Sequence, residues 1–228
     1  MTHYTILNFH PTKENIPVHV GLIPDGTGRW AVKQKVKLVD AYTNAWNKLE
    51  EFLEFFFTRG ATCASIYFSS IQNFKRSPEQ INSFCTAQNT FVSTLLNAFL
   101  ERFPARVIPV GNLSYIPDYF RESLLHIKEK TEMNQGLDIN ILVAYNPLEE
   151  IEYAIRSNDD GNFLENLWVK KPLDLVIRTS ANLLSNFLPL QSGYARLYWI
   201  YKLFPDVEIR DYENIYDKFV KIDRKYGD

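Results

Sequence analysis

His19-Val20-Gly21-Leu22-Ile23-Pro24-Asp25-Gly26-Thr27-Gly28-Arg29-Trp30 begins as an apolar run and ends in a Gly-x-Gly turn. The run reads as a buried strand, and the turn carries one carboxylate and one guanidinium. Glycines at a strand end let backbone N–H groups approach a ligand, and the positive end of the next helix faces the same place. Arg29 offers a planar donor fork suited to phosphate. Asp25 offers a hard oxygen ligand for Mg²⁺, or a base. A Gly-x-Gly turn alone supports two readings equally: a diphosphate site, or an ordinary βα turn with a surface Asp and Arg.

Working outward, the 228 residues suit one domain spanning the whole chain, with 46% hydrophobic and 23% charged residues. The net charge of −2 comes with no basic stripe, so nucleic acid is not an expected partner. The 16 Phe and 13 Tyr are abundant; most are expected in the core, and they also suit the lining of an apolar ligand cavity. Cys63 and Cys85 lack metal-ligand spacing and read as core thiols in a reducing cytoplasmic protein. The N-terminus has no signal-peptide pattern, and every long apolar segment carries charges, so no transmembrane segment is expected.

Strand signals recur at Val18–Ile23, Ala64–Ser69, Arg106–Val110, Leu137–Ala144, Leu173–Arg178 and Arg196–Ile200. Between them lie helical patterns. The first starts at Arg29, and the second runs from an Asp40 N-cap to Arg59, after a loop at 35–39. A third runs from Ser77-Pro78 to Arg102, and others cover Pro117–Met133, Pro147–Ser157 and Asp211–Arg224. Asn158-Asp159-Asp160-Gly161 reads as a turn. This alternation predicts an α/β fold: one domain with a central, mostly parallel six-stranded sheet flanked by helices. Ligands of such sheets bind at the C-terminal strand ends. That rule gathers Asp25, Gly26, Gly28 and Arg29 with Ser70, Asn73 and Arg76, and with Arg178, Thr179 and Ser180.

These residues resemble a known family, the cis-prenyltransferases (undecaprenyl-diphosphate synthase-like enzymes). The family's opening motif, His-Val-Ala-Ile-Ile-Met-Asp-Gly-Asn-Gly-Arg-Trp-Ala, matches His19 to Ala31. Its Tyr-Ala-Phe-Ser-Ser-Glu-Asn-Trp-x-Arg-Pro is echoed by Tyr67-Phe68-Ser69-Ser70-Ile71-Gln72-Asn73-Phe74-Lys75-Arg76. Its Asp-Leu-x-Ile-Arg-Thr-Gly-Gly-Glu-x-Arg-x-Ser-Asn-Phe becomes Asp174-Leu175-Val176-Ile177-Arg178-Thr179-Ser180-Ala181-Asn182-Leu183-Leu184-Ser185-Asn186-Phe187. The resemblance implies two sites and an apolar tunnel. In the first site Asp25 holds Mg²⁺, with Asn73 assisting departure of an allylic diphosphate. Gly26, Thr27, Gly28, Arg29, Trp30, Ser70 and Arg76 bind that diphosphate. The second site, for isopentenyl diphosphate, retains Arg178 and Ser185. A homodimer is also implied.

The departures cluster in the second site. The family's phosphate-binding Arg and its His are Leu38 and Tyr42 here; Gly-Gly-Glu is Ser180-Ala181-Asn182; and the second Arg is absent at Leu183-Leu184. The family's metal-site Glu is Arg196, placed with the second substrate, where it either replaces a cation or pairs with Asp25. The expected function is therefore short-chain isoprenoid synthesis by irregular, head-to-middle (lavandulyl- or cyclolavandulyl-type) coupling of an allylic diphosphate with a second small isoprenyl unit. Three alternatives remain. They are a single-substrate terpene synthase, an ordinary short-chain synthase using isopentenyl diphosphate, and a non-catalytic prenyltransferase subunit. Phe52, Phe55, Phe56 and Phe57 are expected either to be core or to shorten the tunnel.

Overall fold

The computed structural model describes residues 15–157 and 162–222. The expected turn at 158–161, the first fourteen residues and the end of the last helical pattern lie outside them. Six strands form one sheet: β1 (His19–Ile23), β2 (Cys63–Tyr67), β3 (Ala105–Val110), β4 (Leu137–Leu142), β5 (Leu175–Thr179) and β6 (Arg196–Ile200). The order is β3-β4-β2-β1-β5-β6, and every pair is parallel. The chain therefore leaves β1 toward β2 on one side and returns to its other side with β5. The order reverses at β1, and parallel sheets open a ligand crevice at such a point.

The helices are α1 (Thr27–Gln34), α2 (Leu38–Phe57), α3 (Pro78–Thr90), α4 (Leu96–Arg102), α5 (Asp118–Thr131), α6 (Pro147–Arg156) and α7 (Ile209–Val220). Val20, Leu22, Ala64 and Ile66 turn one sheet face toward a large core built with α2, α3, α4, α5 and α7. Alternate residues, such as Ile23, Tyr67 and Val176, meet a smaller layer containing Phe187 and Leu188. Phe52, Phe55, Phe56 and Phe57 are core: all are buried, and the first three ring-pack against Tyr212.

Several boundaries differ from the sequence pattern for local reasons. Asp40 does not cap α2; the helix begins at Leu38, with Lys37 as N-cap and the Ala41 N–H on the Lys37 carbonyl at 3.1 Å. Asp40 sits in the first turn, where a carboxylate suits the helix dipole. Ser77 does cap α3, with Pro78 opening it. The long pattern reaching Arg102 is interrupted by a π-turn at Phe91–Leu95. Strand β4 stops at Leu142 because Ala144 adopts φ 48°, which no strand continues. Helix α7 starts before Asp211 because Glu208 and Asp211 form a reciprocal cap. Among the described residues no helix is long and apolar enough to cross a membrane.

Candidate active site

The residues after β1 turn sharply. Gly26 is the N-cap of α1 at φ 107°, and a Cβ there would lie 2.8 Å from Leu203 Cδ2. Only glycine fits both the space and the backbone. No side chain caps α1, so its first-turn amides stay open toward the crevice. A Cβ on Gly28 would meet nothing closer than Leu38 Cδ1 at 4.0 Å. Gly28 is therefore not required by the fold; its missing side chain leaves room.

A cavity of about 970 Å³ opens at the C-terminal ends of β1, β2 and β5. Asp25, Gly26, Thr27, Gly28, Arg29, Ser70, Asn73, Arg76, Arg178 and Ser185 all line it. The strand-end rule thus brings together most of the expected site. Trp30 is not among the lining residues; its indole N–H bonds Asp206 Oδ1 at 2.7 Å and ties α1 to the turn before α7. Arg196 is also not brought there. It is exposed and opens β6 opposite Leu175, at the N-terminal edge of the sheet. Asp25 pairs with other arginines.

Arg29 Nη2 lies 3.0 Å from Asp25 Oδ1, and Arg178 Nη2 lies 2.9 Å from Asp25 Oδ2. Arg178 Nη1 also donates to the Leu183 carbonyl and to Ser185 Oγ, both at 2.6 Å. The retained arginine of the second clamp is therefore buried and turned inward, spending its donors on the protein. Its Nε is buried with no partner among the described residues. Ser180 holds φ 68° and Ser185 and Asn186 hold φ 51° and 61°, all left-handed, in the loop after β5. The main chain keeps a glycine-like path with side chains that resist it.

Across the cavity, Ser70 and Asn73 cap a short 3-10 turn at Ile71–Lys75. Asn73 Oδ1 accepts from the Ser70 N–H at 2.8 Å and from Ser70 Oγ at 3.2 Å. This fixes the carboxamide by its oxygen and leaves the NH₂ as a donor group on a cavity wall. Tyr42, expected only as a lost histidine, lines the cavity from α2. Burial raises its hydroxyl pKa, while Arg76 beside it pulls the other way. Its ring stacks on Trp46, which is 3% exposed and helps close the apolar end with Ala45 and Phe84. No sequence signal marked Tyr42 as functional, because a tyrosine on an amphipathic helix reads as core.

Among the described residues, no cluster of three or more His, Cys, Asp or Glu could cage a metal. Mg²⁺ does not need one, because one or two carboxylates plus substrate phosphates suffice. Asp25 fits that use: Oδ2 is pinned by Arg178, and Oδ1 is held only by Arg29, whose side chain is 59% exposed.

A parallel α/β sheet carries glycine amides, three guanidiniums and one carboxylate around an apolar-ended cavity, a donor set suited to a polyanionic ligand with an apolar tail. A family model described as "Putative undecaprenyl diphosphate synthase" matches residues 23–227, and the chain belongs to that family. Its relatives are prenyltransferases, and so is this enzyme. An isoprenyl transferase of Staphylococcus haemolyticus is 26% identical, covering 100% of this chain and 93% of its own length. A geranylgeranyl-diphosphate-specific tritrans,polycis-undecaprenyl-diphosphate synthase of Thermoplasma volcanium is 29% identical over 92% of this chain and 89% of its own. The crystal structure of lavandulyl diphosphate synthase from Lavandula x intermedia, in complex with dimethylallyl diphosphate, shares the fold. Its TM-score is 0.86 at 23% identity, covering 94% of this chain and 99% of that one.

Proposed function

We propose that this prenyltransferase ionises an allylic diphosphate with Mg²⁺ and couples it to a second small isoprenyl unit in an irregular, short-chain condensation. The observation that carries this reading is the asymmetry of the two phosphate sites. The turn after β1 keeps open amides, an Arg29 that is 59% exposed and held only at Asp25 Oδ1, and a donor on Asn73, with Arg76 opposite. The loop after β5 has Arg178 committed to Asp25, Leu183 and Ser185. A second diphosphate of the ordinary kind finds few donors there. A scaffold of the same fold holds dimethylallyl diphosphate in the lavandulyl diphosphate synthase, which supports a small allylic substrate.

Catalysis on this reading is electrostatic. The allylic C–O bond breaks, and the diphosphate leaves with the electron pair. Arg29, Arg76, Asn73 and the α1 amides receive the developing charge. Mg²⁺, when bound at Asp25, supplies further positive charge to the leaving group. The double bond of the second unit attacks the allylic carbon, a C–C bond forms, and the resulting cation gives a proton to the departed diphosphate. Trp46, Ala45 and Phe84 limit how far a chain extends.

The test is incubation of purified protein with Mg²⁺ and dimethylallyl, geranyl or farnesyl diphosphate, each with and without isopentenyl diphosphate. A short product formed without isopentenyl diphosphate, carrying two prenyl units, is expected. Long cis-polyprenyl products, or dependence on isopentenyl diphosphate, overturn the irregular reading. A hydrocarbon or alcohol from one substrate selects terpene synthesis instead.

A homodimer is part of the proposal. Strand β6 is a sheet edge, and Leu197 and Tyr201 on it or just beyond it are 42% and 79% exposed. An open apolar edge suits pairing with a second copy. Light scattering is expected to give twice the 26.6 kDa chain mass, and Tyr201→Glu to lower it toward one; a monomeric wild type overturns this part.

A further inference from the structure

Asp25 stands between two guanidiniums of unequal freedom. Arg178 has a side chain 7% exposed and is held at three acceptors, so it stays on Oδ2. Arg29 has a side chain 59% exposed and reaches only Oδ1, by an i,i+4 contact at 3.0 Å. Such an exposed pair shifts an equilibrium by only about twofold. Its charge matters more. One carboxylate and two guanidiniums give the trio a formal charge of +1, and a divalent cation approaching Oδ1 meets Arg29 directly.

A diphosphate reverses the balance. It is a polyanion with acceptors suited to a guanidinium fork. The open amides of α1 and the Arg76 side chain line the same cavity. Once Arg29 turns to the phosphate, Oδ1 is free and the local charge is negative. Nothing comparable releases Oδ2.

We propose that Arg29 is a placeholder cation that makes divalent-metal binding at Asp25 conditional on a diphosphate. This rests on reading the cavity as a diphosphate site. Coupling of this kind is reciprocal, so metal and diphosphate each strengthen the other's binding by one factor. Arg29 sets part of that factor.

The experiment titrates Mn²⁺ by electron paramagnetic resonance against wild type, Arg29→Gln, Arg29→Lys and Asp25→Asn. Each is measured alone and with non-ionising geranyl thiodiphosphate. Chelation by the ligand in solution is common to every variant and cancels in the comparison. Arg29→Gln is expected to bind Mn²⁺ alone about 5- to 20-fold tighter than wild type, the size of losing one positive charge near a divalent ion. Its coupling factor falls in proportion. Arg29→Lys keeps the charge and behaves as wild type. If Arg29→Gln binds Mn²⁺ alone no tighter while thiodiphosphate still binds, the placeholder role is overturned and the diphosphate site stands. If wild type binds no thiodiphosphate, or Asp25→Asn leaves metal binding intact, the site reading itself falls and the inference with it.

Discussion

His19 opens β1, and Asp25 stands two residues past its end, yet the protein treats the two polar residues in opposite ways. His19 is 1% exposed. Its Nδ1 lies 3.1 Å from the Lys171 carbonyl and 3.0 Å from the Pro172 carbonyl, and its Nε2 lies 2.7 Å from Ser65 Oγ. Nδ1 therefore donates and Nε2 accepts, which is a neutral imidazole fully used by the fold. Asp25 has a side chain 33% exposed in the cavity wall, and its charge is balanced by two arginines. One end of the strand is sealed and neutral, and the other is open and charged. A motif that looks continuous in sequence divides into a stability half and a chemistry half. Substitutions at the two ends should fail in different ways.

The largest difference belongs to Asp25→Asn. Turnover of an allylic diphosphate is expected to fall by about 10³-fold or more, the scale of removing a central electrostatic group. The fold should survive, because Arg178 keeps Leu183 and Ser185 as acceptors. Circular dichroism melts beside product assays check both halves. A variant that unfolds rather than merely losing activity would make the two ends alike and end the comparison.

His19 should respond to acid instead. Burial lowers its pKa from 6.5 to about 4. Between those values the unfolded chain binds a proton that the native chain refuses. Stability is therefore intact above about pH 6.5 and declines as pH falls toward 4, by about 1.4 kcal/mol per pH unit and about 3 kcal/mol in all. Glu150 has an opposite slope, since burial raises its carboxyl pKa. The difference between wild type and His19→Gln, followed by urea melts from pH 7 to 4.5, isolates the imidazole. Parallel slopes for the two proteins would show that His19 does not control the sealed end.

The same two halves explain what was legible in the sequence. Strands β1, β2 and β5 are short apolar runs, so their places are legible: β1 ends at Ile23 as expected, β2 at Tyr67 rather than Ser69, and β5 at Thr179 rather than Arg178. The strand-end rule then gathers Asp25, Gly26, Gly28, Arg29, Ser70, Asn73, Arg76 and Arg178, which all line the cavity, while Thr179 and Ser180 do not line it and Ser185, which does, follows only from the resemblance. Arg196 is linked to the site by its place in the family pattern and not by strand direction. It starts β6, and direction alone puts it at the far edge. Asp40 misled because residues that favour N-caps also favour the first turn, and composition does not separate the two. Trp30 and Tyr42 depend on tertiary neighbours, Asp206 and Arg76, that no local pattern announces. The inward turn of Arg178 is likewise a packing outcome, visible only with Leu183 and Ser185 in place.

Tyr42→Phe sharpens the account of the open end. It removes a hydroxyl beside Arg76 and leaves the ring against Trp46. If that hydroxyl orients Arg76 on the diphosphate, kcat/KM should fall about tenfold, near 1.4 kcal/mol, with melting unchanged within about 0.5 kcal/mol. Activity equal to wild type would reduce Tyr42 to an apolar wall.

Gly28→Ala carries the smallest effect and the clearest division. Its new Cβ clears Leu38 by 4.0 Å, and its backbone is not left-handed, so nothing in the protein opposes the methyl group. Alanine restrains the unfolded chain and favours the first turn of α1, which should raise stability by about 0.5–1 kcal/mol. The same methyl enters the room left beside the open α1 amides, where the diphosphate is proposed to lie. Affinity for geranyl thiodiphosphate, followed by calorimetry, should fall several-fold while the melting temperature rises. An alanine variant that is both more stable and equally tight would mean that Gly28 leaves its space unused, and that the diphosphate sits closer to Arg76 than to the helix. A variant that gains stability and loses affinity would show that the open end of β1 gives up stability to hold its ligand, whereas the sealed end at His19 has no such conflict.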